Sequence, residues 1–371
     1  MKQKKITHFT LKLLVVLILM LISFIVLRHN ASWYQDTIGE VTSSKQVSSK
    51  VLQDQYGNKV TQHHQKVTVK ILNTKNKDKT VSFINSYDDA QAITQPLRQH
   101  DQIFLARSEK AWGIKNFKRD SFWIPILILV MGFLIISMGK AGGFMVVSLA
   151  INIMLFIGAI YLNLATKEAN IFWIFILFSI LASTLTLIFV MGIKNRLTWT
   201  VLLTVATSTT AAMLIGLLVF KITNGKGLHF ELMSFITQLP QPMFLSMTLV
   251  GVLGAVMDEA TDMIATLFSL ERDHPEIGIK DLLITGRHVG QEIFGALSNT
   301  LFLIFIAEQI PMAILYLRNG NNWGFTYTMN LSLGMIQTLI SAIGIVLTGP
   351  AGIFWVWFLH KWQQKRMGAT K

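Results

Sequence analysis

The chain contains no cysteine. Disulfides, covalent haem attachment, thiolate metal sites and a lipidated N-terminal cysteine are thereby excluded. Charge is scarce too. Only 14% of the 371 residues are Asp, Glu, Lys or Arg, 52% are hydrophobic, and mean hydropathy is +0.49. That is too apolar for a soluble domain and fits a polytopic membrane protein, since one span needs roughly 20 apolar residues. No Gly-x-x-x-x-Gly-Lys-Ser/Thr, His-Glu-x-x-His or Gly-x-Ser-x-Gly pattern occurs, so ATP hydrolysis by a P-loop is excluded. No internal repeat supports an inverted-repeat transporter. No cofactor is expected. The net charge of +13 does not point to nucleic acid, because the basic residues mostly flank apolar segments, as membrane topology requires.

What is present is a series of eight apolar segments, about 11–27, 122–138, 144–164, 170–191, 199–220, 243–268, 293–316 and 326–348. The first resembles a signal peptide, but no small-residue cleavage site follows at Arg28, and it reads as an uncleaved anchor. Lys and Arg in the short loops set the orientation. With the N-terminus inside, fourteen basic residues are cytoplasmic, among them Lys140, Lys194, Arg196, Arg272, Lys280, Arg287 and Lys361. Four, Lys167, Lys221, Lys226 and Arg318, fall in short outer loops. Both termini are therefore expected in the cytoplasm, with Lys115, Lys118 and Arg119 as a minor conflict. Gly349-Pro350-Ala351-Gly352 is expected to kink or end the last span, leaving Phe354–Phe358 as an aromatic belt.

Residues 29–120 form the expected extracytoplasmic domain. Apolar residues alternate at Val67, Val69 and Ile71, at Val81 and Phe83, and at Ile103 and Leu105. This predicts short strands and hairpins in a small barrel or sandwich. His63-His64 reads as a solvated pair in a polar loop. The fold class is thus an all-α polytopic membrane protein of about eight transmembrane helices with a small β-rich extracytoplasmic domain. Its expected divisions are an anchor (1–28), the β-rich domain (29–120), a seven-helix membrane domain (121–360) and a basic tail (361–371).

Three carboxylates, Asp258, Glu259 and Asp262, lie inside the sixth span. A charge in hydrocarbon costs at least about 2.5–3.5 kcal/mol, so each requires a protein interior, water or a cation. At about 100° per residue, Gly251, Gly254, Ala255, Asp258 and Asp262 share one stripe, with Leu249, Val252, Val256, Met263 and Ile264 opposite. Small residues permit close helix approach; the two aspartates are therefore expected on the packed face and Glu259 at its edge. In the following segment His288, Glu292, Gly295 and Asn299 align, with Arg287, Gln291 and Ser298 adjoining. Gly251, Gly254, Gly290 and Gly295 are read as packing positions. Candidates for binding an ion or substrate are Asp258, Asp262, Glu259, Arg287, Glu292, Ser298 and Asn299. Asp258, Asp262, His288 and Glu292 are weak candidates for a metal. The competing reading for all of them is hydrogen bonding between helices, or solvation at the membrane edge. Two further rows, Thr200, Thr204, Thr207 and Ser208, and Asn330, Gly334, Gln337 and Ser341, read as packing devices that could also border a polar path.

The runs Gly251-Val-Leu-Gly-Ala-Val-Met-Asp-Glu-Ala-Thr-Asp262 and Gly286-Arg-His-Val-Gly-Gln-Glu-Ile-Phe-Gly-Ala-Leu-Ser-Asn-Thr300 resemble the YibE/F family of bacterial membrane proteins, in its longer, YibE-like form. Asp258, Arg287, Gly295, Ser298, Asn299 and Thr300 keep the family pattern, whereas Glu259 and His288 depart from it. The resemblance therefore favours Asp258, Arg287 and Asn299. It supplies an architecture rather than a mechanism, and its long and short members imply a homo-oligomer or a hetero-oligomer with a shorter relative, within the lipid bilayer. The leading expectation is a transporter or permease component with an intramembrane acidic site for a cation or proton. The alternatives are a structural or sensory subunit of a membrane complex and an intramembrane metal-dependent enzyme.

Overall fold

A computed structural model describes residues 2–91, 94–108, 111–166, 170–233, 239–274 and 277–368. Lys167, used above for orientation, and Lys371, another of the fourteen basic residues expected inside, lie outside them. Among the described residues, eight helices are long and apolar enough to cross a membrane. The chain divides into two compact units, Met1–Gly143 and Phe144–Lys371.

In the first unit, α1 (Lys2–Arg28) runs against α2 (Asp120–Met138). The contact is close because Gly132 of α2 has no Cβ: one placed there would meet Val16 Cγ1 at 2.5 Å. Between the two helices the chain builds β1 (Thr37–Gln53), β2 (Lys59–Ile71), β3 (Thr80–Asp88), β4 (Gln102–Arg107) and β5 (Trp112–Phe117). They form one antiparallel sheet in the order β3-β2-β1-β4-β5. The sheet curls until β3 approaches β5 without a ladder between them, so it is an open barrel rather than a sandwich. The predicted alternation lies along the core: Val41, Val67, Val69, Ile71, Ile103 and Leu105 are buried with Leu97. Each such side chain contributes about 1.5–3 kcal/mol. Gly39 of β1 lies opposite Ile71, and a Cβ there would collide with Val69. His63 and His64 belong to β2, not to a loop. His63 bonds Asp89 and stacks on Tyr87, and His64 bonds Ser86.

Asn73 ties the end of α1 to this sheet. Its Oδ1 accepts from Ile38 N at 2.7 Å, and its Nδ2 donates to the carbonyls of Ala31, Tyr34 and Asp36 at 2.8–3.1 Å. A second tie centres on Asp120, whose carboxylate receives Asn30, Tyr34 and the buried Lys118. Lys118 also donates to Leu27 O, and Gln102 to Arg28 O.

The second unit is helical. After α3 (Lys140–Ala165) come α4 (Ile171–Met191), α5 (Arg196–Thr223), α6 (Pro240–Asp273), α7 (Ile279–Arg318), the short α8 (Trp323–Thr326) and α9 (Ser332–Gly368). One π-helical turn, Tyr327–Leu331, joins the last two. Asn152 Nδ2 donates to Thr186 Oγ1 at 2.7 Å and links α3 to α4. α6 is the hub and packs on α4, α5, α7 and α9. Its buried side is Leu249, Val252, Val256, Met263, Ile264 and Leu267. The small residues that admit this ridge sit on α9. A Cβ at Gly344 would stand 2.8 Å from Val256 and 3.0 Å from Val252, and one at Gly352 would stand 2.8 Å from Met263. Packing rather than hydrophobic transfer drives helix association in lipid, so shape complementarity selects this side.

Of the two outcomes expected at Pro350, a kink or an end, the second does not occur: α9 does not end there. It runs on to Gly368. Proline removes one backbone hydrogen bond, but the segment beyond it is held by packing: Val356 is buried, and Ile353 lies against Gly286 of α7.

Candidate functional site: a buried glutamate in the α6–α7–α9 seam

The structure reverses the expected roles of the three carboxylates. Asp258 and Asp262 are exposed on the outer side of α6, on the stripe that carries the exposed Gly251 and Gly254. The packed face is the apolar one, and Glu259 goes inward with it, only 1% exposed. Its Oε2 is buried without a hydrogen-bond partner among the described residues. The helix places it there because Val252, Val256, Met263 and Glu259 fall within one arc at about 100° per residue, and α9 captures that arc.

Glu259 lines a cavity of about 570 Å³ with Leu283, Ile284, Arg287, Gly290, Gln291 and Phe294 of α7 and Ile345, Val346, Gly349, Pro350 and Ile353 of α9. Only Glu259, Arg287 and Gln291 bring polar side chains to it. Arg287 makes no ion pair with Glu259 or with any other described residue. Gly290, an expected packing position, also lines the cavity, and a Cβ placed there would stand 3.7 Å from Met263 Sδ, in ordinary contact.

A second cavity, of about 460 Å³, lies farther along the same seam and is more polar. Gly251 of α6, Glu308 and Gln309 of α7, Asn330 of the π-helical turn, and Gln337 and Ser341 of α9 border it. The polar row on the last span thus lies along a cavity. On α9 the two cavities are separated by one turn, Ser341 to Ile345, about 6 Å of rise. The hydroxyl row of α5 borders neither cavity. Thr200 and Thr204 are buried and bond back to their own helix at Arg196 O and Thr200 O.

The remaining expected residues do not converge. Glu292, His288 and Asn299 are exposed on α7, and Ser298 Oγ is buried without a partner among the described residues. Among the described residues no group of three or more His, Asp or Glu side chains is placed to hold a metal ion. The weak metal set of Asp258, Asp262, His288 and Glu292 is therefore not assembled among the described residues. Gly254 and Gly295 touch nothing within 4 Å of a would-be Cβ, and Gly251 meets only Gln337 Nε2 at 3.1 Å. Gly251 thus keeps its expected place against a neighbouring helix, at Gln337 of α9, whereas Gly254 and Gly295 meet no described residue. Glu308 and Gln309 were absent from the expected site; their only signal in sequence is two polar residues in an otherwise apolar run.

No curated protein and no solved structure matches the chain. Two family models do. The YibE/F family N-terminal domain covers residues 32–117, the sheet, and the YibE/F-like protein model covers residues 126–362 and so contains both cavities and Glu259. With the sheet and the helical seam each matched by its own part of one family, and more than half of the chain under the second match, the chain belongs to the YibE/F family.

Proposed function

We propose that the protein is a transporter or permease component of a bacterial cell membrane, and that Glu259 is its intramembrane site for a proton or cation. The observation that carries this reading is a carboxylate 1% exposed inside a candidate span, unpartnered at Oε2 and bordering a cavity. A buried carboxylate without a partner is costly when ionised and neutral when protonated. An exchangeable cation resolves that cost, and a path lets it exchange. The second, polar cavity on the same seam supplies the other half of a path, with Glu308 and Gln337 at its wall. Arg287 competes with the ion for Glu259. Two alternative pairings of one carboxylate are the kind of bistable element on which coupled transport relies.

Both termini are assigned to the cytoplasm and residues 29–120 to the outside. The support is the excess of Lys and Arg in the segments this orientation places inside.

The test is flux in reconstituted vesicles. Under an imposed membrane potential, proton or Na⁺ entry should be seen with the intact chain and lost with Glu259→Gln, while the melting temperature is kept. Equal flux in both proteins would sink the reading.

A second reading, a subunit of a larger membrane complex, is supported by the outward carboxylates. Asp258 and Asp262 on α6, with Glu292 and Asn299 on α7, face away from the chain's own core. Charge at such a depth is poorly suited to hydrocarbon. A second copy or a shorter family member would cover them.

A further inference from the structure

The cavity at Glu259 is an unusual shape for an ion site alone. Its walls are apolar, Leu283, Ile284, Phe294, Ile345, Val346 and Ile353. Its mouth is flanked by Ile284 and Val346, 55% and 48% exposed. Exposed apolar residues at the rim of a groove in a candidate span open it sideways onto hydrocarbon rather than onto water. Inside, the buried carboxylate of Glu259 has an oxygen without a partner among the described residues, and the exposed Arg287 borders the same space without pairing to it. The complementary ligand has an apolar body, an ammonium for Glu259 and an anionic group for Arg287. A bilayer supplies such a molecule at high local concentration.

We propose that the groove between α7 and α9 binds the head of an aminophospholipid, with its primary ammonium donating to Glu259, its phosphate at Arg287 and an acyl chain along Ile284 and Val346. A soluble amine does not use the apolar rim. An anionic lipid leaves Glu259 unpartnered beside more negative charge. A quaternary ammonium has no N–H to donate to Oε2. Arg suits a phosphate because its planar fork presents several donors at once. This inference rests on the same inward Glu259 as the transport reading and names the class of molecule that the site takes.

The experiment is native mass spectrometry of the full-length protein in mild detergent with equal amounts of phosphatidylethanolamine, phosphatidylcholine and phosphatidylglycerol of identical acyl chains. The expected result is one tightly retained phosphatidylethanolamine, held about tenfold better than phosphatidylcholine, as the loss of a charge-assisted hydrogen bond implies. Glu259→Gln should bring the two to equal retention, and Arg287→Gln should weaken both. Ile284→Trp is made on an exposed residue, spares the core and fills the mouth; it should abolish the selective adduct. Equal retention of ethanolamine and choline lipids by the intact chain, or selectivity unchanged by Glu259→Gln and Ile284→Trp, overturns the proposal and leaves annular lipid only. Preferred retention of phosphatidylglycerol overturns it as well. Binding is read without flux, so the two readings fail separately. Selective lipid without ion entry removes transport, and ion entry without selective lipid removes this site.

Discussion

Glu259 and Arg287 border the same cavity and do not pair. Glu259 is 1% exposed and Arg287 is exposed, so a ligand that bridged the two would span the cavity from its buried side to its open side.

The packing of α6 into α9 predicts where substitution is costly. Gly344→Ala should lower stability by about 1–3 kcal/mol through overpacking against Val256 and Val252. Gly254→Ala, which meets nothing, should be neutral or gain up to roughly 1 kcal/mol from helix propensity. Thermal melts in one detergent compare the two, and the opposite ranking would disprove the assignment of the packed face.

Asn73→Ala should destabilise the first unit well beyond its loss of volume. Ile38 is fully buried, and its N–H loses the acceptor at 2.7 Å. An orphaned buried donor costs about 1–3 kcal/mol. Amide hydrogen exchange at Ile38 should accelerate, together with a lower melting temperature for the sheet.

Asp89 offers a pH test outside the spans. The Thr61 side chain, then His63, then the Thr61 N–H hold its carboxyl below the ordinary aspartate value of 3.8. The folded value is depressed, so its contribution to stability is complete above about pH 4 and disappears as pH falls through the lowered value. An NMR titration should find the Asp89 midpoint below the ordinary value and show it rising in His63→Gln.

The absence of cysteine makes the outer face of α6 easy to probe. Gly254→Cys, beside Asp258, should form a disulfide-linked dimer in oxidised membranes if a second copy covers that face. Val252→Cys, which points into the bundle, should not. Non-reducing gels decide between them, and an uncrosslinked Gly254→Cys would point to a different partner or none.

Much of the architecture was legible. Apolar runs of sufficient length mark all eight long helices, and period-two alternation at Val67, Val69 and Ile71 marks the strand that anchors the sheet. The inward face of α6 was not legible from the helix itself. A stripe of Gly and Ala is a fair sign of close approach, but the approach was supplied by Gly344 and Gly352 on another helix, nearly ninety residues away. Sequence spacing within α6 cannot report that. The continuation of α9 through Pro350 was hidden for a related reason: a local breaker was outweighed by distant packing at Ile353 and Val356. Glu259 was discounted for departing from a family pattern and for sitting at the edge of the wrong face. The same position becomes central once the faces are exchanged.

The ties around Asn73 and Asp120 also have a mechanical meaning. The last turn of α1 and the first turn of α2 are both bolted to the five-stranded sheet, through Leu27, Arg28, Asn30 and Asp120. A load applied to the long β1–β2 ribbon would therefore not dissipate in a linker. It would reach the two helices as a torque, making the sheet a handle by which something outside could twist the α1–α2 pair.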